Sequence, residues 1–151
     1  KDEELELRAV YAHRLLLDGL PERAQEAMIH VVQDAILQNK ELLIISEGII
    51  LAGLYMHANR WRDTAALCVA IESAAQNRSN WLAFAAGRMM RASAWVAENK
   101  ISEGINLLFE TGDHCFDVGA VAGLHLVRAR LVELQIKLGE TQFQALSGRQ
   151  F

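Results

Sequence analysis

Apolar residues recur at helical spacing along nearly the whole chain. Leu5, Ala9, Ala12 and Leu16 follow one another at intervals of three or four, and Ala24, Ala27, Met28, Val31 and Val32 repeat the pattern. Such spacing puts them on one side of a helix, whereas the strict alternation of a half-buried strand is almost absent, so the pattern predicts an all-α protein. The interruptions set its organisation. Gly19, Asn59, Asn99 and Gly139 stand 40 residues apart, and Gly and Asn are the residues that tolerate the left-handed backbone closing a helix. The predicted helices run over 3–18, 21–38, 41–58, 61–76, 79–98, 101–111 and 116–138, with a short one from 140. Gly112-Asp113-His114 is the predicted loop before the last pair, and Gly119 with Gly123 predicts close packing or a loosened start for the helix that follows.

Residue types recur in register with these breaks. Before them stand Tyr11-Ala12, Leu51-Ala52, Arg91-Ala92 and Leu131-Val132, followed by Leu15, Tyr55, Trp95 and Gln135. After them a small residue returns as Ala24, Thr64 and Gly104, trailed by Ala27, Leu67 and Leu107 and then by Met28, Cys68 and Leu108. An ordinary bundle with helices of ~18 residues would space its helix ends similarly. Helix length alone, however, does not make residue types repeat.

A small residue with an aromatic in one helix, a Gly/Asn turn, and small-then-large positions in the next resembles the tetratricopeptide repeat. The resemblance covers essentially the whole chain. It implies a right-handed α-solenoid of antiparallel helix pairs, seven or eight helices in about 3.5 repeats, over 1–39, 40–78, 79–113 and 114–151. Departures are the 40-residue length against the usual ~34, the missing proline at repeat ends, and Gln144 and Gly148 in the fourth repeat. The longer repeat also resembles the superhelical repeats of bacterial transcription activators of the maltose-regulator type.

Composition narrows the picture. With 52% hydrophobic and 23% charged residues and one proline, the chain is not disordered, and at this length it buries about two-thirds of its unfolded surface. A net charge of −4 argues against direct nucleic-acid binding, which needs a basic stripe to neutralise phosphates. The apolar runs Leu42–Ile45 and Ile49–Leu54 are split by Ser46, Glu47 and Gly48, short of the ~20 residues of a membrane span. Cys68 and Cys115 have no companion at disulfide-framework or zinc spacing, so a cytoplasmic setting is expected. The charged start Lys1-Asp2-Glu3-Glu4, without a methionine, suggests a piece of a longer protein.

Little of the sequence points to chemistry. His13, His30, His57, His114 and His125 show no metal-binding spacing, and no glycine motif for phosphate is present. Asp113-His114-Cys115 sets an acid, a base and a thiol side by side, but a nucleophile and its base must meet through space, which chain neighbours rarely do. No enzyme activity, cofactor or metal is therefore expected. Trp61, Trp81 and Trp95 are expected to pack between helices. By the resemblance, the first helix of each pair lines a concave groove. Its lining would comprise His13, Leu16, Leu17, Ile49, Met56, His57, Met89, Ser93, Val96, Glu133, Ile136 and Lys137, flanked by Glu6, Ala9, Ser46, Gly53, Ala97 and Ala129. The resemblance thus implies a protein-interaction module of a bacterial regulator or scaffold, binding a protein, helix or peptide and open to self-association. The alternative is a small-ligand or peptide-sensing domain of a signal-responsive transcription activator.

Overall fold

A computed structural model describes residues 2–148. Among them are eight helices: α1 (Asp2–Leu17), α2 (Pro21–Leu37), α3 (Glu41–His57), α4 (Trp61–Asn77), α5 (Trp81–Ala97), α6 (Ile101–Asp117), α7 (Val121–Leu138) and α8 (Glu140–Ser147). The described residues contain no strand, and no helix among them is long and apolar enough to cross a membrane. The end of the fourth repeat, 149–151, lies outside the described residues.

The structural unit is half the period read from the sequence. Left-handed residues close the first six helices at Gly19, Asn39, Asn59, Ser79, Asn99 and Gly119, spaced by 20 residues. At each, the left-handed residue donates its N–H to the carbonyl three back and the next residue donates to the carbonyl five back. The first pair is Gly19 to Leu16 at 3.0 Å and Leu20 to Leu15 at 2.9 Å, and the last is Gly119 to Phe116 at 3.2 Å and Ala120 to Cys115 at 2.8 Å. This paired closure satisfies carbonyls that a helix end otherwise leaves bare. Among the described N-caps, that of α5 alone adds a side-chain cap, Asn80 Oδ1 accepting from the Ala83 N–H at 3.1 Å.

Two boundaries differ from the sequence expectation. Gly112-Asp113-His114 is not a loop: α6 runs unbroken through it, and the third pair of helices closes at Gly119. The Thr111 hydroxyl donates to the Leu107 carbonyl at 2.7 Å, so that buried hydroxyl is satisfied within the unbroken helix. The last pair accordingly starts at Val121 and not at 116.

Helix pairing follows from symmetry about the turns. Ala12 and Ala24 stand six residues either side of Asp18, at the start of the first turn, as Ala52 and Thr64 do of Ala58, and Ala92 and Gly104 of Glu98. Antiparallel neighbours therefore bring each pair level, and Ala12, Ala24, Ala52, Thr64 and Ala92 are fully buried. The third pair is tightest: a Cβ on Gly104 would fall 2.9 Å from the Ala92 carbonyl oxygen and 2.8 Å from Val96 Cγ2. Chain neighbours pack together throughout. Odd helices also touch one another, α3 with α5 and α5 with α7, while α2, α4 and α6 make no comparable contact among themselves. The odd helices thus form the tighter, inner layer of a curved stack of helix pairs.

Gly104→Ala should destabilise the fold by about 1–3 kcal/mol, because backbone has to move, whereas Gly53→Ala, with nothing within 4 Å of the added Cβ, should be neutral or gain up to ~1 kcal/mol. Denaturant titration checks both, and equal effects would refute the close approach. Among the described residues, Ser79 is the one left-handed position held by neither Gly nor Asn. Ser79→Gly should raise stability by about 0.5 kcal/mol, the relief of left-handed strain exceeding the added chain entropy; an unchanged or lower unfolding midpoint would argue that serine is unstrained there.

Candidate functional site

Between successive even helices, above the odd helix they flank, the curvature opens three grooves in the same register. The first uses Ile29 and Ile36 of α2, Leu51 and Tyr55 of α3, and Asp63 of α4. Forty residues on, Arg91 and Trp95 replace Leu51 and Tyr55, and Glu103 replaces Asp63. A further 40 residues bring Phe109 and Phe116 of α6, Leu131 and Gln135 of α7, and Phe143 of α8. The volumes are about 240, 430 and 500 Å³.

The third groove is the largest because α8 departs from the pattern. Gly139 has φ 84° and ψ 151°, a region open essentially to glycine alone, and keeps a single closing bond, to the Gln135 carbonyl at 2.9 Å. The chain therefore leaves α7 along a different path. In place of standing off like the other even helices, α8 lies against α6: Phe143 packs on Phe109 with ring centroids 6.3 Å apart, and the Ser102 hydroxyl donates to the Leu146 carbonyl at 2.8 Å. It spans 8 residues, and among the described residues no other helix walls that side of the groove. What remains is an apolar cleft floored by Leu124, Val127 and Leu131, with Asp113, Arg128 and Gln135 as polar groups. Phe116 stands at its edge with 74% of its surface exposed, although large aromatics usually find cover.

On the inner face the expected groove residues divide. Ile49, Met56, Met89 and Val96 are half-buried and pack against the core. His13 is tied to Glu47 across the α1–α3 seam, Nε2 to Oε2 at 2.6 Å, and Ser93 donates to the Met89 carbonyl at 2.9 Å while accepting from Arg130 Nε at 3.1 Å. Glu133 pairs with Arg130 at 2.9 Å. Leu16 is half-buried, and Leu17, His57, Ile136 and Lys137 are exposed near helix ends. Among the described residues, a hollow of about 390 Å³ lined by Ala9, Val10, Leu43 and Glu47 takes in His13 of the twelve.

The outer cleft lay hidden in the sequence, although a signal was there: Phe116 occupies the register of Ile36 and Gln76, and Val132 that of Ala52 and Ala92.

The residues that looked reactive diverge. Asp113 points to the cleft, His114 stacks edge-on to Trp81 with centroids 4.9 Å apart and lies 5.3 Å from Phe84, and Cys115 is buried facing Gly123. Trp81 thereby fills the joint between α5 and α6, and Trp95 carries the Arg91 guanidinium 5.0 Å from its ring; Trp61 is half-buried. Burial pushes the Cys68 thiol from its ordinary 9.0 up to about 12, with Glu72 adding and Arg91 opposing, and burial also raises that of Cys115. Beside Cys68, buried Glu72 accepts from Arg88 Nε at 2.8 Å and Arg91 Nη2 at 2.7 Å, a cluster that neutralises one of two cations and ties α4 to α5. No group of three His, Cys, Asp or Glu among the described residues could hold a metal ion.

Fold and site together define an all-helical repeat protein whose distinctive surface is an apolar cleft. Comparison with family models, curated proteins and solved structures finds no match, so the repeat register within the chain is what informs the function.

Neither thiol should react with an aromatic disulfide reagent at pH 8 until the protein unfolds, since only the thiolate attacks. Ionisation of the unfolded thiol comes first as pH rises, so the contribution of Cys68 to stability is complete below about pH 9 and is lost towards pH 12. Rapid labelling of the native protein would contradict the burial.

Proposed function

We propose that this chain is a protein-interaction module that seats an apolar helix or peptide of a partner in the outer cleft formed by α6, α7 and α8. The carrying observation is the cleft itself, about 500 Å³ lined by Phe109, Phe116, Leu124 and Leu131, within the ~300–1,000 Å³ of ordinary binding sites. Its aromatic and branched side chains suit the buried anchors of a short amphipathic segment, and the few polar groups around them can set its direction. A sensor of small ligands would be expected to enclose its effector among convergent polar groups; here the long side is open and Phe116 is bare. The inner face supports the reading less, because its apolar residues already pack between helices. On this reading the function is recognition, and Asp113, His114 and Cys115 take no part in chemistry.

The test is selection of amphipathic helical peptides against the native protein, followed by titration with variants. Phe116→Glu should weaken binders at least about tenfold with thermal stability retained. Val69→Glu, at the register of Phe109 on the exposed surface of α4, should leave them unchanged. If selected peptides bind Phe116→Glu as tightly as the parent protein, or if none binds, the cleft is not a recognition surface.

A further inference from the structure

The second groove carries charge that the first lacks. On α5, Arg88, Arg91 and Trp95 follow one another at i, i+3 and i+7, and on α6 Glu103, Asn106 and Glu110 do the same, so each set forms a stripe along its helix. The two stripes line one space of about 430 Å³, with Leu107 beside them. One period earlier the places of Arg88, Arg91, Asn106 and Glu110 hold Gly48, Leu51, Ala66 and Ala70, and Val32 stands where the buried carboxylate of Glu72 does. The same kind of helix pair is built there from apolar and small residues, so packing does not require these charges.

The charges in this groove are held apart. Glu72, 6% exposed, takes both arginines on the single oxygen Oε1, at 2.8 Å from Arg88 Nε and 2.7 Å from Arg91 Nη2. The guanidiniums lie over Phe84 and Trp95, 4.7 and 5.0 Å from the ring centroids, a packing that fixes the plane of each cation. Among the described residues, Glu72 Oε2 and Arg91 Nε are buried without a partner, so the cluster does not satisfy itself, which is uncommon for buried polar groups. Glu103 and Glu110 are exposed, and among the described residues neither pairs with these arginines, whose ion pairs go to Glu72. A cationic wall and an anionic wall therefore line the same groove with neither neutralising the other.

We propose that this groove binds a free α-amino acid with a large apolar side chain. Its carboxylate accepts from the guanidinium N–H groups that Glu72 does not use, its ammonium donates to Glu103 and Glu110, and its side chain lies against Trp95 and Leu107. Packed helices have axes ~8–10 Å apart, so walls on α5 and α6 are close enough to be bridged by a ligand whose two charges sit on one carbon. A simple anion would meet the two glutamates and a simple cation the two arginines, so like charge disfavours either by itself. The volume is that of a small-molecule site. The outer cleft uses a different face of α6 and shares no lining residue with this groove, so the two sites stand or fall separately.

Titration calorimetry with L-phenylalanine, L-leucine and L-methionine should show saturable one-to-one binding, weakened by added salt. N-acetyl-L-phenylalanine, which lacks the ammonium, and L-phenylalaninamide, which lacks the carboxylate, should each bind at least about tenfold more weakly than L-phenylalanine. Glu103→Ala with Glu110→Ala changes two exposed positions, so circular dichroism and melting should be retained. That variant should lose affinity for L-phenylalanine and keep its affinity for the N-acetyl derivative, a selective loss that a merely structural role of the glutamates would not produce. Phe116→Glu, in the outer cleft, should bind L-phenylalanine as the parent protein does. No saturable binding of any of the three amino acids, equal binding of the blocked derivatives, or unaltered affinity for L-phenylalanine in the double variant would each overturn the proposal. Loss of binding in Phe116→Glu would also overturn it, by placing the ligand in the outer cleft.

Discussion

The hydrogen bond from the Leu20 N–H to the Leu15 carbonyl, with its five counterparts, is the interaction on which the rest of the molecule depends. It ends each helix with one left-handed residue and reverses the chain in three residues. Because the closure recurs every 20 residues, helices α2 to α6 all have 17 residues, close to 25 Å each at the usual ~1.5 Å rise. Equal lengths and equal turns keep small residues level across antiparallel neighbours. A helix longer by one residue would rotate its buried face by ~100° and lose that match.

Packing then divides the labour between layers. Odd helices touch one another, and both layers contribute buried side chains to the shared core. Even helices splay on the outside and leave grooves whose character varies with the side chains set at one register. Tyr55 in the first groove, Trp95 in the second and Gln135 in the third occupy equivalent places, and the second is held by the Glu72, Arg88 and Arg91 cluster. A buried carboxylate under two guanidiniums adds little net stability, but removing the carboxylate would leave charge stranded. Function on this scaffold is therefore a matter of which groove is left apolar and open.

A single departure from the turn geometry opens the cleft proposed for recognition. Had Gly139 closed α7 as Gly119 closes α6, an eighth helix would stand over Val132 and Ile136 and wall the cleft. The extended backbone at Gly139 sends α8 across α6 instead, so a change of two dihedral angles uncovers an apolar flank and an aromatic cleft together.

From the amino-acid sequence alone the helical class, the pairing of helices and the small residues at their crossings could be read. Ala12, Ala52, Ala92, Thr64 and Gly104 act locally, as spacing along one helix and symmetry about one turn. The breaks at 39–40 and 77–78 were legible, but the turn residues Asn39 and Ser79 were not, because Asn and Ser are common within and between helices and only the backbone shows the left-handed step. Gly112 looked like a loop for the converse reason: beside Asp and His a glycine reads as a break, yet here it continues α6, with Val127 and Leu124 of α7 at ordinary contact, 3.7 and 3.8 Å from where its Cβ would be. Only the tertiary structure decided that Met56 and Met89 brace the core and that Phe116 and Ile136 are bare. Exposure depends on which neighbour stands opposite, and that neighbour is placed by the path of the chain after Gly139, a dihedral choice that a glycine permits but does not announce.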